Sequence, residues 1–161
     1  RNELLPKRAK KRSLNLLQKR SYTECKLREK LAEGYYPQEI IDEAVEYVKS
    51  FHYIDDYEYA CQYIFYHKEA ETGRKMEEKL MQKGIDKDTV RQAMEDSYDE
   101  EEQQNIELQH AKKLLEKKKY NAETMERKEK QKIYAFLVRK GFTTSVIKRA
   151  MYIQNNLIEE I

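Results

Sequence analysis

Tryptophan is absent, and the 161 residues hold only 4 Gly, 2 Pro and 2 Cys. So little glycine and proline leaves few of the tight turns a sheet needs, and no glycine loop to cradle a phosphate. Cys25 and Cys61 lie inside helical patterns without ligand spacing. They imply neither a disulfide frame nor a zinc site and are expected to be small buried apolar residues in a reducing compartment. The three histidines, His52, His67 and His110, are scattered and share no helical face with a cysteine or a carboxylate pair, which argues against a metal centre. No apolar run approaches the roughly 20 residues of a membrane span, and no signal peptide is visible. A nucleophile motif is also missing. Together these gaps argue against enzyme classes, so no catalytic residue, metal or cofactor is expected. The chain opens on Arg1 rather than Met, which predicts that a segment precedes it.

What is present is charge and helix-forming residues. Lys, Arg, Asp and Glu make up 39% of the chain, as much as all the apolar types together. The net charge is only +2, but its distribution is uneven. Residues 1–34 carry 11 Lys/Arg against 4 Asp/Glu, residues 35–102 carry 8 against 19, and residues 103–161 carry 13 against 7. The first and last segments are therefore basic and the middle is acidic.

One pattern is written three times. Leu27-x3-Leu31 is followed by Gly34 and then Ile40-Ile41-x2-Ala44. Met76-x3-Leu80 is followed by Gly84 and then Thr89-Val90-x2-Ala93, and Ile133-x3-Leu137 by Gly141 and then Val146-Ile147-x2-Ala150. The central leucines lie 49 and 57 residues apart. An apolar pair at i, i+4 ends a helix, a glycine break follows, and a capped helix opens. A repeat near 50 residues predicts an array, because a unit of that size cannot bury enough surface alone. The expected fold is all-α: an elongated, curved array of three tandem three-helix repeats, about nine helices in total. The expected units are residues 1–51, 52–98 and 99–161, the last with a long first helix and an extended last helix. Its stripe Val146, Ala150, Ile153, Leu157 and Ile161 runs past the repeat. Ser21-Tyr22-Thr23-Glu24 and Asp55 with Glu58 predict capping boxes, and Asp86 a further cap. Tyr59, Tyr63 and Tyr66, at i, i+4, i+7, are expected to pack in the core or between repeats; base stacking on exposed rings is the other reading, with Tyr57 and Tyr66 the better candidates for an exposed contact.

Tyr53-Ile54-Asp55-Asp56-x2-Tyr59-Ala60 is similar to the Tyr-Leu-Asp-Asp-x2-Phe-Ala signature of the RecX family of bacterial recombinase regulators. Leu80-x3-Gly84-Ile85 and Leu137-x2-Lys140-Gly141-Phe142 resemble that family's Leu-x2-Lys-Gly-Phe/Ile element, and the likeness covers about residues 9–153. There are departures: His52 stands where Gly is usual, Thr72-Gly73 where Gly-Pro is usual, and Tyr35 at the position of Gly84 and Gly141. The resemblance implies a cytoplasmic modulator of RecA, acting in DNA repair, recombination and the SOS response. Such a protein would bind the RecA filament on single-stranded DNA in its groove and restrain strand exchange, ATPase and co-protease activities, as a monomer without a catalytic site.

Candidate contacts with DNA or filament are the basic side chains of the first and last segments. They are Lys7, Arg8, Lys10, Lys11 and Arg12, then Lys112, Lys113, Lys117, Lys118, Lys119, Arg127, Lys128, Arg139, Lys140, Lys148 and Arg149. Runs such as Lys117-Lys118-Lys119 exceed their local acids, as a phosphate-facing surface would. The alternative is a solvated surface paired to Glu at i±4. At the level of function, the alternative is a free-standing helical DNA-binding protein with no recombinase partner.

Overall fold

Helix formers separate apolar positions that recur every three or four residues, and such stretches bury one face as helices. The computed structural model describes residues 4–97 and 99–159, with side chains through residue 152. Among the described residues there are nine helices and no strand. They are α1 (Leu4–Lys19), α2 (Glu24–Glu33), α3 (Gln38–Ser50), α4 (Asp56–His67), α5 (Gly73–Gln82), α6 (Lys87–Ser97), α7 (Glu100–Lys117), α8 (Arg127–Arg139) and α9 (Thr144–Glu159). The all-α class expected from the sequence is the one found. The side chains of Ile153, Leu157 and Ile161 lie outside the described residues.

The chain packs as two compact units, Arg1–Tyr63 with Lys79–Met94, and Ile64–Glu78 with Glu95–Ile161. The first is built around Ala9, Leu16, Leu27, Leu31, Ile40, Ile41, Val45 and Val48. The second is built around Leu108, Ala111, Leu115, Leu137, Phe142, Val146 and Ile147. All three repeated pairs are buried: Leu27 and Leu31, Met76 and Leu80, Ile133 and Leu137. Each such side chain contributes roughly 1.5–3 kcal/mol by leaving water.

Helix ends explain the turns. At the end of α5 the N–H of Ile85 donates to Leu80 O (3.3 Å) and that of Gly84 to Met81 O (3.0 Å). Phe142 and Gly141 repeat this pair of bonds on Leu137 and Val138, and Tyr53 and His52 repeat it on Val48 and Lys49. This termination sets one residue at positive φ: Gly84 at 89°, Gly141 at 101° and His52 at 58°. Tyr35 and Lys119 take the same conformation at 62° and 54°. An L residue is strained there by roughly 1–2 kcal/mol, part of which glycine gives back as unfolded-state entropy. The variant His52→Gly is therefore expected to gain about 0.5–1 kcal/mol in urea unfolding. No gain would mean that the imidazole makes compensating contacts.

Glycine is required where another helix comes close. A Cβ on Gly84 would overlap the Cβ of Cys25 and lie 2.5 Å from its Sγ. The Thr23 hydroxyl, beside it, donates to Lys83 O at 2.7 Å. A Cβ on Gly141 would lie 2.7 Å from Thr72 Oγ1 and 2.9 Å from Lys75 Cγ. Each turn thus seats against the start of an earlier second helix, α2 or α5. Carboxylates reach the same two helix starts. Asp56 Oδ1 accepts the Glu24 N–H at 2.9 Å, and buried Glu107 accepts the Gly73 N–H at 2.8 Å.

Burial raises the Asp56 pKa above the ordinary carboxylate range despite that amide. The folded chain then holds the proton more tightly than the unfolded chain does. The stability from this group is complete below the unfolded pKa and is lost as pH rises through the folded one. Asp56→Asn keeps an acceptor without the charge. It is expected to gain stability over the parent at pH 7 and to gain less at pH 3; equal gains would remove the charge from the account.

Several local expectations are corrected. The cap of α2 is Thr23, which accepts from Lys26 N at 3.2 Å, rather than Ser21. Cys25 and Cys61 are half-buried rather than buried. No ring of the tyrosine stripe is fully in the core: Tyr59 and Tyr63 are half-buried, and Tyr66, a candidate for exposure, is 76% exposed. Ala60 and Ile64 are the fully buried residues of α4, because small and aliphatic side chains allow closer helix packing than rings bearing hydroxyls. The caps at Asp55 and Asp86 stand as expected, accepting from Glu58 and Thr89 at 3.1 and 2.9 Å, and Asp99 is a further cap, accepting from Glu102 at 2.7 Å.

Candidate functional site

α1 buries Ala9, Ser13 and Leu16 on one face. Lys7, Arg8, Lys11 and Arg12 consequently face water on the other. Lys10 sits between, half-buried, with its ammonium 4.9 Å from the centre of the Tyr47 ring.

In the second unit Lys118, Lys132, Arg139 and Lys140 gather around Phe136 of α8. The run Lys117-Lys118-Lys119 closes α7, where the carbonyl ends of the helix favour positive charge. Positive φ at Lys119 turns the chain towards α8. Lys132, Phe136 and Lys140 follow one another at i, i+4 and i+8. The Lys118 and Lys140 ammonium groups lie 4.5 and 5.5 Å from the Phe136 ring centre. A hollow of about 320 Å³ is lined there by Lys118, Lys132, Ile133, Ala135, Phe136 and Arg139, with no carboxylate among them. Four cations around one half-buried ring can hold an anion by charge while offering an apolar face.

A second cleft of about 490 Å³ brings Lys113 and Lys140 beside Lys75, His110, Glu71 and Phe142. Burial, and then Lys113, lower the His110 pKa, which favours the neutral imidazole. Of the remaining predicted side chains, Lys112 is half-buried, and Arg127, Lys128, Lys148 and Arg149 are exposed and line neither hollow. Sequence reasoning missed Phe136 and Lys75. The i, i+4, i+8 spacing of Lys132, Phe136 and Lys140 was a usable signal for the first; nothing local marked the second.

Ion pairing distinguishes these cations from many of the others, although among the described residues Lys83, Lys87 and Arg91 of the middle segment form no ion pair either. Arg28 pairs with Asp42 at 2.6 Å and Glu24 at 3.7 Å, Lys49 with Glu24 at 2.9 Å, and Lys68 with Glu102 at 3.0 Å. Lys26, Lys30, Arg74 and Lys75 pair along their own helices. Among the described residues, none of the sixteen predicted cations takes part in an ion pair. The i±4 pairing to Glu that the sequence left open is not formed at these positions.

Among the described residues no three His, Cys, Asp or Glu side chains are grouped to hold a metal ion. None of the described helices is long and apolar enough to cross a membrane.

Known proteins give this arrangement a context. The family model for the first three-helix domain of RecX matches residues 9–47, and that for the third three-helix domain of RecX matches residues 105–151. Regulatory protein RecX of Clostridium botulinum (strain Alaska E43 / Type E3) is 30% identical over 126 residues, covering 78% of this chain. The chain spans 58% of the length of that relative. Regulatory protein RecX of Actinobacillus pleuropneumoniae serotype 5b (strain L20) is 31% identical over 147 residues, 89% of this chain and 90% of the relative. A crystal structure of regulatory protein RecX superposes with a TM-score of 0.77 at 26% identity, covering 91% of this chain and 72% of that one. With matching domains at both ends of its sequence and a relative aligned over nearly its whole length, the chain belongs to the RecX family of regulatory proteins.

Proposed function

We propose that this chain binds the RecA filament on single-stranded DNA and restrains it, acting by occupancy rather than by chemistry. The observation that carries this reading is the division of its cations. Lys26, Arg28, Lys30, Lys49, Arg74 and Lys75 on α2, α3 and α5 are paired with carboxylates, while the predicted cations of α1 and of α7 to α9 form no ion pair among the described residues. Phosphates are the natural counter-charge, since unpaired Lys and Arg gain most by releasing counterions from a strand. The acidic middle of the sequence is suited to basic surface on RecA subunits. A body seated in the groove would block incoming duplex and other RecA substrates, and thereby lower strand exchange, ATPase and co-protease activities. Neither a cofactor nor a second copy of the chain is needed, and the site of action is the cytoplasm, where RecA works.

The unpaired cations support a free-standing DNA-binding protein equally well. A pull-down offering RecA-coated strand against naked strand separates the two. Preference for the coated strand is the expected result, and equal retention would replace the regulator by the simpler binder.

A further inference from the structure

The turn from α3 into α4 holds exposed aromatic surface that neither core uses. In an unbroken helix Phe51 and Tyr53 would point about 200° apart. Positive φ at His52 turns the chain between them, and the two rings stack with centres 5.7 Å apart and planes 19° from parallel. Both remain in water, Phe51 53% and Tyr53 55% exposed. Tyr47, one turn earlier on α3, meets Phe51 edge-on at 5.2 Å and braces it. Lys10 of α1 lies over Tyr47, which joins the rings to the cationic face of that helix.

We propose that Phe51 and Tyr53 form a stacking platform for unpaired bases of a single-stranded nucleic acid whose phosphates lie along the α1 cations. This rests on the nucleic-acid part of the reading above and not on RecA. Flat rings beside unpaired cations are what a strand requires, because every base offers a π-face and every linkage a charge. A duplex keeps its base faces stacked inside and cannot use the rings. An apolar protein surface could cover them, but it would strip water from Lys10 without supplying counter-charge. A strand supplies it.

The test is fluorescence anisotropy with a labelled oligothymidylate, an abasic strand of the same length, and a duplex. The parent is expected to prefer the oligothymidylate over both others by about tenfold or more. Phe51→Ala with Tyr53→Ala, and Phe51→Leu with Tyr53→Leu, are each expected to remove that preference while leaving abasic binding unchanged. Phe51→Trp with Tyr53→Trp is expected to keep it. Thermal melting checks that the variants fold, and the tryptophan pair keeps the test decisive if the alanine pair does not. No binding of the parent to oligothymidylate, equal losses on both single strands, or full binding by the leucine pair would overturn the platform. A loss seen only on RecA-coated strand would assign the rings to a protein contact instead. Retention on coated strand with unchanged base preference would leave the regulator standing and the platform refuted.

Discussion

Gly84→Ala is expected to lower the unfolding free energy by about 2–5 kcal/mol. Strain at a φ of 89° accounts for roughly 1–2 of this. Forcing the new methyl into Cys25, which has no rotamer that moves its own Cβ, accounts for roughly 1–3 more. Against a total of about 5–15 kcal/mol, that removes a large share of the stability. Urea unfolding measures it, and a double-mutant cycle assigns it. Adding Cys25→Gly to Gly84→Ala should recover the collision but not the backbone strain, giving a favourable coupling between the two positions. Additive losses would show that the helix start and the turn do not meet as described. His52→Gly makes the opposite exchange at a similar φ and is expected to change stability in the opposite direction.

Reversing Lys117, Lys118 and Lys119 together to Glu is expected to weaken binding to RecA-coated strand by about 10–100-fold at low salt. The slope of log affinity against log salt should fall by about 2, taking about 0.7 per lost phosphate contact on a single strand. These side chains are exposed and outside every ion pair among the described residues, so the loss is not repayment for a broken bridge. Lys26→Glu with Lys30→Glu is the matched control. Both are half-buried on α2 and already pair with Glu29 and Glu33, at 3.2 and 3.6 Å. That control should leave the slope in place. Equal slopes for the parent and the triple variant would remove the phosphate contact from the proposal. Each reversal also opposes the carbonyl end of α7, at roughly 0.3–1 kcal/mol, so melting is measured alongside.

The parts of this structure legible in the sequence are those decided over a few residues. The pairs Leu27/Leu31, Met76/Leu80 and Ile133/Leu137 announce buried faces by spacing alone, and all are buried. Asp55 and Asp86 cap their own helices because the cap reaches only three residues. Asp56 shows where that legibility stops. It stands next to a self-capping aspartate, yet its carboxylate serves α2, thirty-two residues away. Glu107 serves α5 over a similar gap. The tyrosine stripe was only partly legible, because periodicity locates a face without saying what it meets. Ala60 and Ile64 are the residues of α4 fully in the core, and Tyr59 and Tyr63 lie half-buried beside them. The basic faces were legible as composition, but their gathering around Phe136 depends on how α7 and α8 meet.

The five left-handed turn residues among those described divide sharply by what stands over them. At Tyr35, which is 94% exposed, and at His52 and Lys119, only the backbone objects to a side chain. At Gly84 and Gly141 a neighbouring helix fills the space any side chain would need. Mutational drift should therefore be lopsided. In a library randomised at all five codons and sorted for folded protein, the first three should return many amino acids and the last two almost none but glycine.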